Sequence, residues 1–283
     1  IDQSNVEKTL EVNRAFPGEA IMAEESGKQF KELVEPEQRH QISQVVSGVM
    51  GRTVLEDELT EWLDYGTKSD SDRIWVIDPI DGTKGFLALR HYVIAVGVLE
   101  AGQPTAAVMG APAYPGFERG ALLYTDKGSA LMQPLMSSTE PTAIKVSQHT
   151  EPSAIRVLES VEKSHASHER MEKVRAEAGL VHAQLERVDS QEKYGRIAAG
   201  DGELYLRLPR KFSTRPHSTW DHACGAALIQ AGGGIVTDVD GSPLDFTTGP
   251  TLANNQGMIV SNGYIHEKVL KAVEKVLSEE TDD

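Results

Sequence analysis

A chain of 283 residues, 39% hydrophobic and 25% charged, carries enough apolar material for one large or two ordinary globular domains at roughly 150 residues each. Its 28 Lys and Arg stand against 43 Asp and Glu, a net charge of −15 that repels nucleic-acid backbones and anionic membranes and argues against either as a partner. No apolar run approaches the ~20 residues of a membrane span, no basic-then-apolar start marks a signal peptide, and the single Cys224 precludes an internal disulfide, so a reducing, cytoplasmic setting is expected.

In chain order, residues 5–15 and 28–50 read as surface helices, the second rich in Lys, Glu and Gln. Residues 74–78, 92–99 and 105–111 are β-branched and apolar and predict strands, with AGQP at 101–104 as a turn. LLYTDKGSALMQPL (122–135) adds strands around Lys127-Gly128, and the polar SSTEPT (137–142) marks a boundary. It divides an N-terminal α+β half, 1–137, from a C-terminal α/β half, 138–283. The second half alternates: strand 155–158, helix 166–179, strand 185–188, helix 191–199 and strand 203–208. A helix over 221–231 stops at Gly232-Gly233-Gly234, followed by strands at 235–238 and 258–261 and an amphipathic helix over 264–278.

The stretch WVIDPIDGTKGFL (75–87) sets two acids three positions apart behind an apolar run. A buried strand ending at Asp78, with Pro79 stopping the ladder, brings Asp78 and Asp81 to one sheet edge. Gly82 permits close backbone approach, and the amides around Gly82-Thr83 would open a helix toward an anion. Hard oxygen donors in such a cluster suit Mg²⁺, which keeps water and substrate phosphate among its ligands. An isolated D-P-x-D-G is also an ordinary turn at a strand end, and the stretch alone leaves both readings open. Glu24 and Glu25 in MAEES follow the apolar pair Ile21-Met22, and Asp221 in STWDHACGAAL stands where a helix begins, which is also a good N-cap position.

Together WVIDPIDGT, the upstream AEES and the downstream WDHA resemble the lithium-sensitive, magnesium-dependent phosphatase superfamily that includes the inositol monophosphatases, over roughly residues 16–265. Lys84-Gly85-Phe86, VEKSHASH (161–168), DSQEKYG (189–195), YLRLP (205–209) and LDF (244–246) are similar, within it, to the 3′(2′),5′-bisphosphate nucleotidases. The resemblance implies a layered αβαβα sandwich of the inositol monophosphatase and fructose-1,6-bisphosphatase type, present as monomer or homodimer. It implies hydrolysis of the 3′-phosphate of 3′-phosphoadenosine 5′-phosphate, or of its sulfated form, with two or three Mg²⁺ ions and inhibition by Li⁺ and Na⁺. By the same resemblance Glu24, Asp78, the Ile80 carbonyl, Asp81 and Asp221 are metal ligands, and Thr83 beside Asp81 serves the attacking water. Gly82, His165, Ser190, Lys193, Arg207 and Asp221 would contact the nucleotide.

Charge supports that division. Lys193 and Arg207, with Arg210, Lys211 and Arg215 close in sequence, form a basic cluster able to offset an acidic chain around a multiply charged ligand. Read singly, Lys193 is a surface lysine on a helix and Arg207 the outward residue between Leu206 and Leu208. An inositol phosphatase on the same fold and a non-catalytic nucleotide sensor are the alternatives.

Two departures stand out. The family continues G-F-x-R-G-x-Q-[YF]-A, whereas here Ala88-Leu89 replaces Arg-Gly, which predicts a shifted loop or a lost substrate contact. The family also carries an acid, in T-x-A-D, about four helical turns before the aromatic-Pro pair matched by Phe16-Pro17. Counting back places it at or before residue 1, with Asp2 about 100° out of phase, so an upstream segment that supplies this acid is expected.

Overall fold

A computed structural model describes residues 3–67, 71–161, 168–209 and 216–280. Helix α1 (Gln3–Ala15) leads into strand β1 (Ala20–Ala23), then α2 (Gly27–Leu33), α3 (Pro36–Met50) and α4 (Glu56–Leu63). The single helix expected over 28–50 is two. Pro36 disfavours helical geometry at Glu35 and supplies the first residue of α3, while Ser26 and Gln29 form a capping box that starts α2. Helix α4 escaped the sequence reading because it is short and acidic, yet Leu59 and Leu63, one turn apart, are buried against Phe30 and Val46.

Strands β2 (Arg73–Asp81), β3 (Val93–Glu100), β4 (Gln103–Ala111), β5 (Ala121–Asp126), β6 (Ser129–Pro134) and β7 (Thr142–Ile144) join β1 in a seven-stranded sheet in chain order. Helix α5 (Thr83–Leu87) separates β2 from β3. Only the β1–β2 pair is parallel. The division expected at 137 and 138 falls between β6 and β7 of this sheet.

The second half supplies β8 (Arg156–Glu159), α6 (His168–Glu177), β9 (Gln184–Arg187), α7 (Glu192–Ala198), β10 (Leu204–Arg207) and β11 (His217–Ser218). After these come α8 (Ala223–Ala231), β12 (Ile235–Thr237), β13 (Thr251–Leu252), β14 (Met258–Ser261) and α9 (His266–Glu279). The second sheet has the order β12-β14-β10-β8-β9. The main core joins β3, β4 and β5 of the first sheet to Tyr194 and Ile197 of α7, Ala226 to Ile229 of α8, and Tyr205, Met258 and Val260 of the second sheet. Leu204 and Leu206 face the other way, onto α6 and α9, and α1 covers the far side of the first sheet through Val12, Ile21 and Ile77. Five layers result, helices, sheet, helices, sheet, helices, as the resemblance implied. The inner helices pack tightly: a Cβ on Gly225 would lie 2.4 Å from the Tyr194 ring, so only glycine lets α8 approach α7 this closely.

Candidate active site

Three chain segments converge at the edge of this core. Strand β2 runs buried through Val76 and Ile77 and delivers Asp78, 2% exposed. Pairing with β3 does not stop at Pro79, as expected, but slips: Asp78 opposes Ala95 and Asp81 opposes Val93, so three residues advance against two. The bulge absorbs a proline that has no N–H to give the ladder and swings Asp81 toward Asp78. Glu24 reaches the same point from the end of β1, where its N–H donates to the Ile77 carbonyl at 3.2 Å. Asp221 arrives from the turn before α8. The N-cap of that helix is His222, so capping does not account for Asp221.

Oxygens of Asp78, Asp81 and Asp221 lie within 4.8 Å of one another. Burial, with the neighbouring acids, pushes Asp78 well above its usual range and Asp81 up to about 6, and burial likewise raises Glu24. Asp78 Oδ1 is buried without a hydrogen-bond partner. Carboxylates gathered this way out of water are costly without a counter-cation, and hard oxygen donors suit a divalent ion. The set could therefore hold a metal.

These acids line a cavity of about 240 Å³, together with Ile80, Gly82, Thr83, Lys84 and Gly85 on one wall and Ser190, Lys193, Tyr205 and Arg207 on the other. The Thr83 hydroxyl donates to the Ile80 carbonyl at 3.3 Å. The helix it opens, α5, has five residues, too short to concentrate much dipole on an anion. Arg207 points inward: its Nη1 is 3.8 Å from Asp221 Oδ2, while Leu206 and Leu208 face the α6–α9 core. Lys193 is buried, not on the surface, and donates to the carbonyls of Val188 at 2.9 Å and Ser190 at 2.7 Å. Burial lowers its pKa to about 8, and one of its three N–H donors remains for the cavity. His165, Arg210, Lys211, Arg215 and Asp2 lie outside the described residues, and LDF contributes a turn in which Asp245 accepts from Thr247 rather than a wall of the cavity.

Ser190, expected from the sequence to contact the nucleotide, is held at φ 66, in the left-handed region, with its Cβ 3.0 Å from where a Cβ on Gly82 would sit. Sequence reasoning missed several residues around it. Gln191 donates its backbone N–H to Asp81 Oδ2. His91 Nδ1 meets the buried Glu192 carboxylate at 2.8 Å, and Arg90 reaches Asp189 at 3.2 Å. The Ala88-Leu89 departure leaves that loop latched to the second half, with Leu89 itself at φ 55 and exposed.

A mixed five-layer sandwich with clustered carboxylates opposite buried cations defines a class of phosphate-processing proteins. The chain belongs to the inositol monophosphatase family, which its residues 2–278 match, a family that is generally metal-dependent and acts on small-molecule phosphates. It is 31% identical over 284 residues to the 3′(2′),5′-bisphosphate nucleotidase of Schizosaccharomyces pombe, covering 94% of this chain and 80% of that protein. To the 3′(2′),5′-bisphosphate nucleotidase 2 of Candida albicans it is 33% identical over 305 residues, 97% of this chain and 84% of that one. Among solved structures, the Thermotoga maritima IMPase superposes with a TM-score of 0.62 at 22% identity, over 95% of this chain and 79% of that chain. An inositol monophosphatase from Anabaena gives 0.59 at 21%, over 94% and 82%. Among the described residues, no helix is long and apolar enough to cross a membrane.

Proposed function

We propose that the protein is a metal-dependent 3′(2′),5′-bisphosphate nucleotidase that hydrolyses 3′-phosphoadenosine 5′-phosphate to AMP and phosphate. The observation that carries this reading is the junction of Asp78, Asp81 and Asp221 with Lys193 and Arg207 across one cavity, in a chain whose curated relatives bear that name. Asp78, Asp81 and Asp221, with Glu24 and the Ile80 carbonyl, would hold Mg²⁺. Bound there, Mg²⁺ supplies Lewis-acid polarisation of the phosphate and lowers the pKa of a water.

The chain's own groups do the rest. Thr83, anchored on Ile80, orients the attacking water; one water is consumed, the P–O bond to the ribose 3′-oxygen breaks, and that oxygen leaves with a proton. Arg207 and the remaining donor of Lys193 bind the second phosphate, and Ser190 and the amide of Gly82 border it. Cys224 is not the nucleophile in this reading: burial pushes its thiol up to about 12, far from a thiolate. Li⁺ would compete for one cation position. In this reading the 1–137 half carries the bulged strand and the 138–283 half the cationic wall.

A phosphate-release panel with Mg²⁺ tests the reading. It compares adenosine 3′,5′- and 2′,5′-bisphosphates, the sulfated nucleotide, inositol 1-phosphate, inositol 1,4-bisphosphate and fructose 1,6-bisphosphate. The adenosine bisphosphates should have the highest kcat/KM; a preference for inositol 1-phosphate would assign an inositol phosphatase instead, and no release from any substrate a non-catalytic sensor.

A further inference from the structure

Asp81 and Asp221 come from opposite halves of the chain, and their spacing has to be set by something that grips both segments. Gln191, 2% exposed at the start of α7, does so with every polar group it has. Its backbone N–H donates to Asp81 Oδ2. Its side-chain Nε2 donates to the carbonyl of Trp220, the residue immediately before Asp221, at 2.9 Å. Its Oε1 accepts from the N–H of Gly225, in the first turn of α8, at 3.0 Å. Its own carbonyl accepts from Tyr194 at 2.9 Å, which ties the residue to α7.

The local backbone explains how one residue reaches in two directions. Ser190 in the left-handed region reverses the chain just ahead of Gln191, which aims the Gln191 N–H at β2 while its side chain points along α8. Lys193 fastens that reversal by donating to the carbonyls of Val188 and Ser190 on either side of it. The amide of Gln191 is well suited to the task, because Trp220 offers an acceptor and Gly225 a donor, and an uncharged carboxamide answers both at once where an ionised carboxylate, an acceptor only, does not.

We propose that Gln191 is a positioning residue that fixes the separation of the Asp81 and Asp221 carboxylates and thereby sets the affinity of the site for Mg²⁺. The inference rests on the metal reading above and adds to it a residue whose side chain is held by Trp220 and Gly225, on either side of Asp221. Groups that orient metal ligands from behind typically contribute about 10- to 100-fold to metal affinity.

The test is calorimetric titration of Mg²⁺ into EDTA-stripped full-length protein at 25 °C, for wild type, Gln191→Met and Gln191→Glu. Both variants keep the backbone N–H to Asp81. Met removes both side-chain hydrogen bonds at similar volume, and Glu keeps the acceptor for Gly225 but sets a carboxylate against the Trp220 carbonyl. Val46→Ala, in the separate core of α2, α3 and α4, serves as a destabilised control. The expected result is Mg²⁺ affinity weakened about 10- to 100-fold in both Gln191 variants and unchanged in Val46→Ala, with raised Mg²⁺ recovering turnover in Gln191→Met. Wild-type affinity in either folded Gln191 variant would overturn the inference, as would failure of both to fold, which would make the residue purely structural. A wild type that binds no Mg²⁺ would instead overturn the metal reading itself, and the two failures are thus distinguishable.

Discussion

At Asp81 the demands of folding and of chemistry pull apart. Its carboxyl is raised to about 6 chiefly by burial and by the charge of Asp221, so in protein stripped of divalent cations it is a source of repulsion. Asp81→Asn keeps an acceptor for the Gln191 N–H while removing a charge from the cluster. It should therefore raise the stability of the stripped protein, by about 1 kcal/mol in urea unfolding, yet lower kcat a hundredfold or more, since electrostatic groups of an active site carry roughly that much. Unchanged turnover would remove Asp81 from the site. Arg207 separates binding from chemistry. Its guanidinium is largely buried beside Asp221, and Arg207→Met should raise KM for the adenosine bisphosphate roughly ten- to a hundredfold, or about 1.5–3 kcal/mol, with little effect on a monophosphate substrate. Equal losses on both substrates would indicate a structural role. Lys193 is a less clean probe, because its ammonium also holds the Val188 and Ser190 carbonyls, and its loss would disturb the loop as well as the charge.

Between elements, the latch from the α5–β3 loop to α7 is a pH-dependent joint. The hydrogen bond to Glu192 holds His91 above its ordinary 6.5, against partial burial and the nearby Arg196, while Asp189 adds attraction. Folding thus favours the protonated ring, so its stabilisation is fully present below about pH 6.5 and is lost as pH rises through the raised folded value. Urea unfolding of wild type and His91→Gln should show a stability gap of about 1 kcal/mol near pH 6 that closes by about pH 9. A gap constant across that range would mean the ring acts only by packing. Elements were legible from the sequence where a periodic apolar pattern ran long enough, as in β2 to β4 and α9. They were not legible where a few residues decide: Leu59 and Leu63, with the half-buried Trp62, bury α4, and the three-residue β7 lies in a segment that reads as polar. Pro36 was in plain view, but the long helical composition around it masked the break between α2 and α3.

Over the whole molecule, the candidate site forms where the bulged end of the first sheet meets the inner helix layer and the end of β10. The acids of that site were readable because each sits in its own short motif beside an apolar run, Glu24, Asp78 and Asp81 after one and Asp221 before one, which is a local signal. Gln191 was not, because its importance depends on Trp220 and Gly225 arriving from elsewhere in the chain, and no local pattern encodes that. Lys193 lines the cavity, but its partners were not readable, since nothing in the sequence shows that a lysine in α7 folds back onto its own loop. The central claim, that both halves join to form one metal centre, is tested most directly by an anomalous difference map from crystals grown with Mn²⁺ in place of Mg²⁺. The strongest peak should lie where the carboxylates of Asp78, Asp81 and Asp221 converge. A strongest peak elsewhere, such as the open groove lined by Glu19, Glu61 and Asp64, or no peak among the three aspartates, would contradict it.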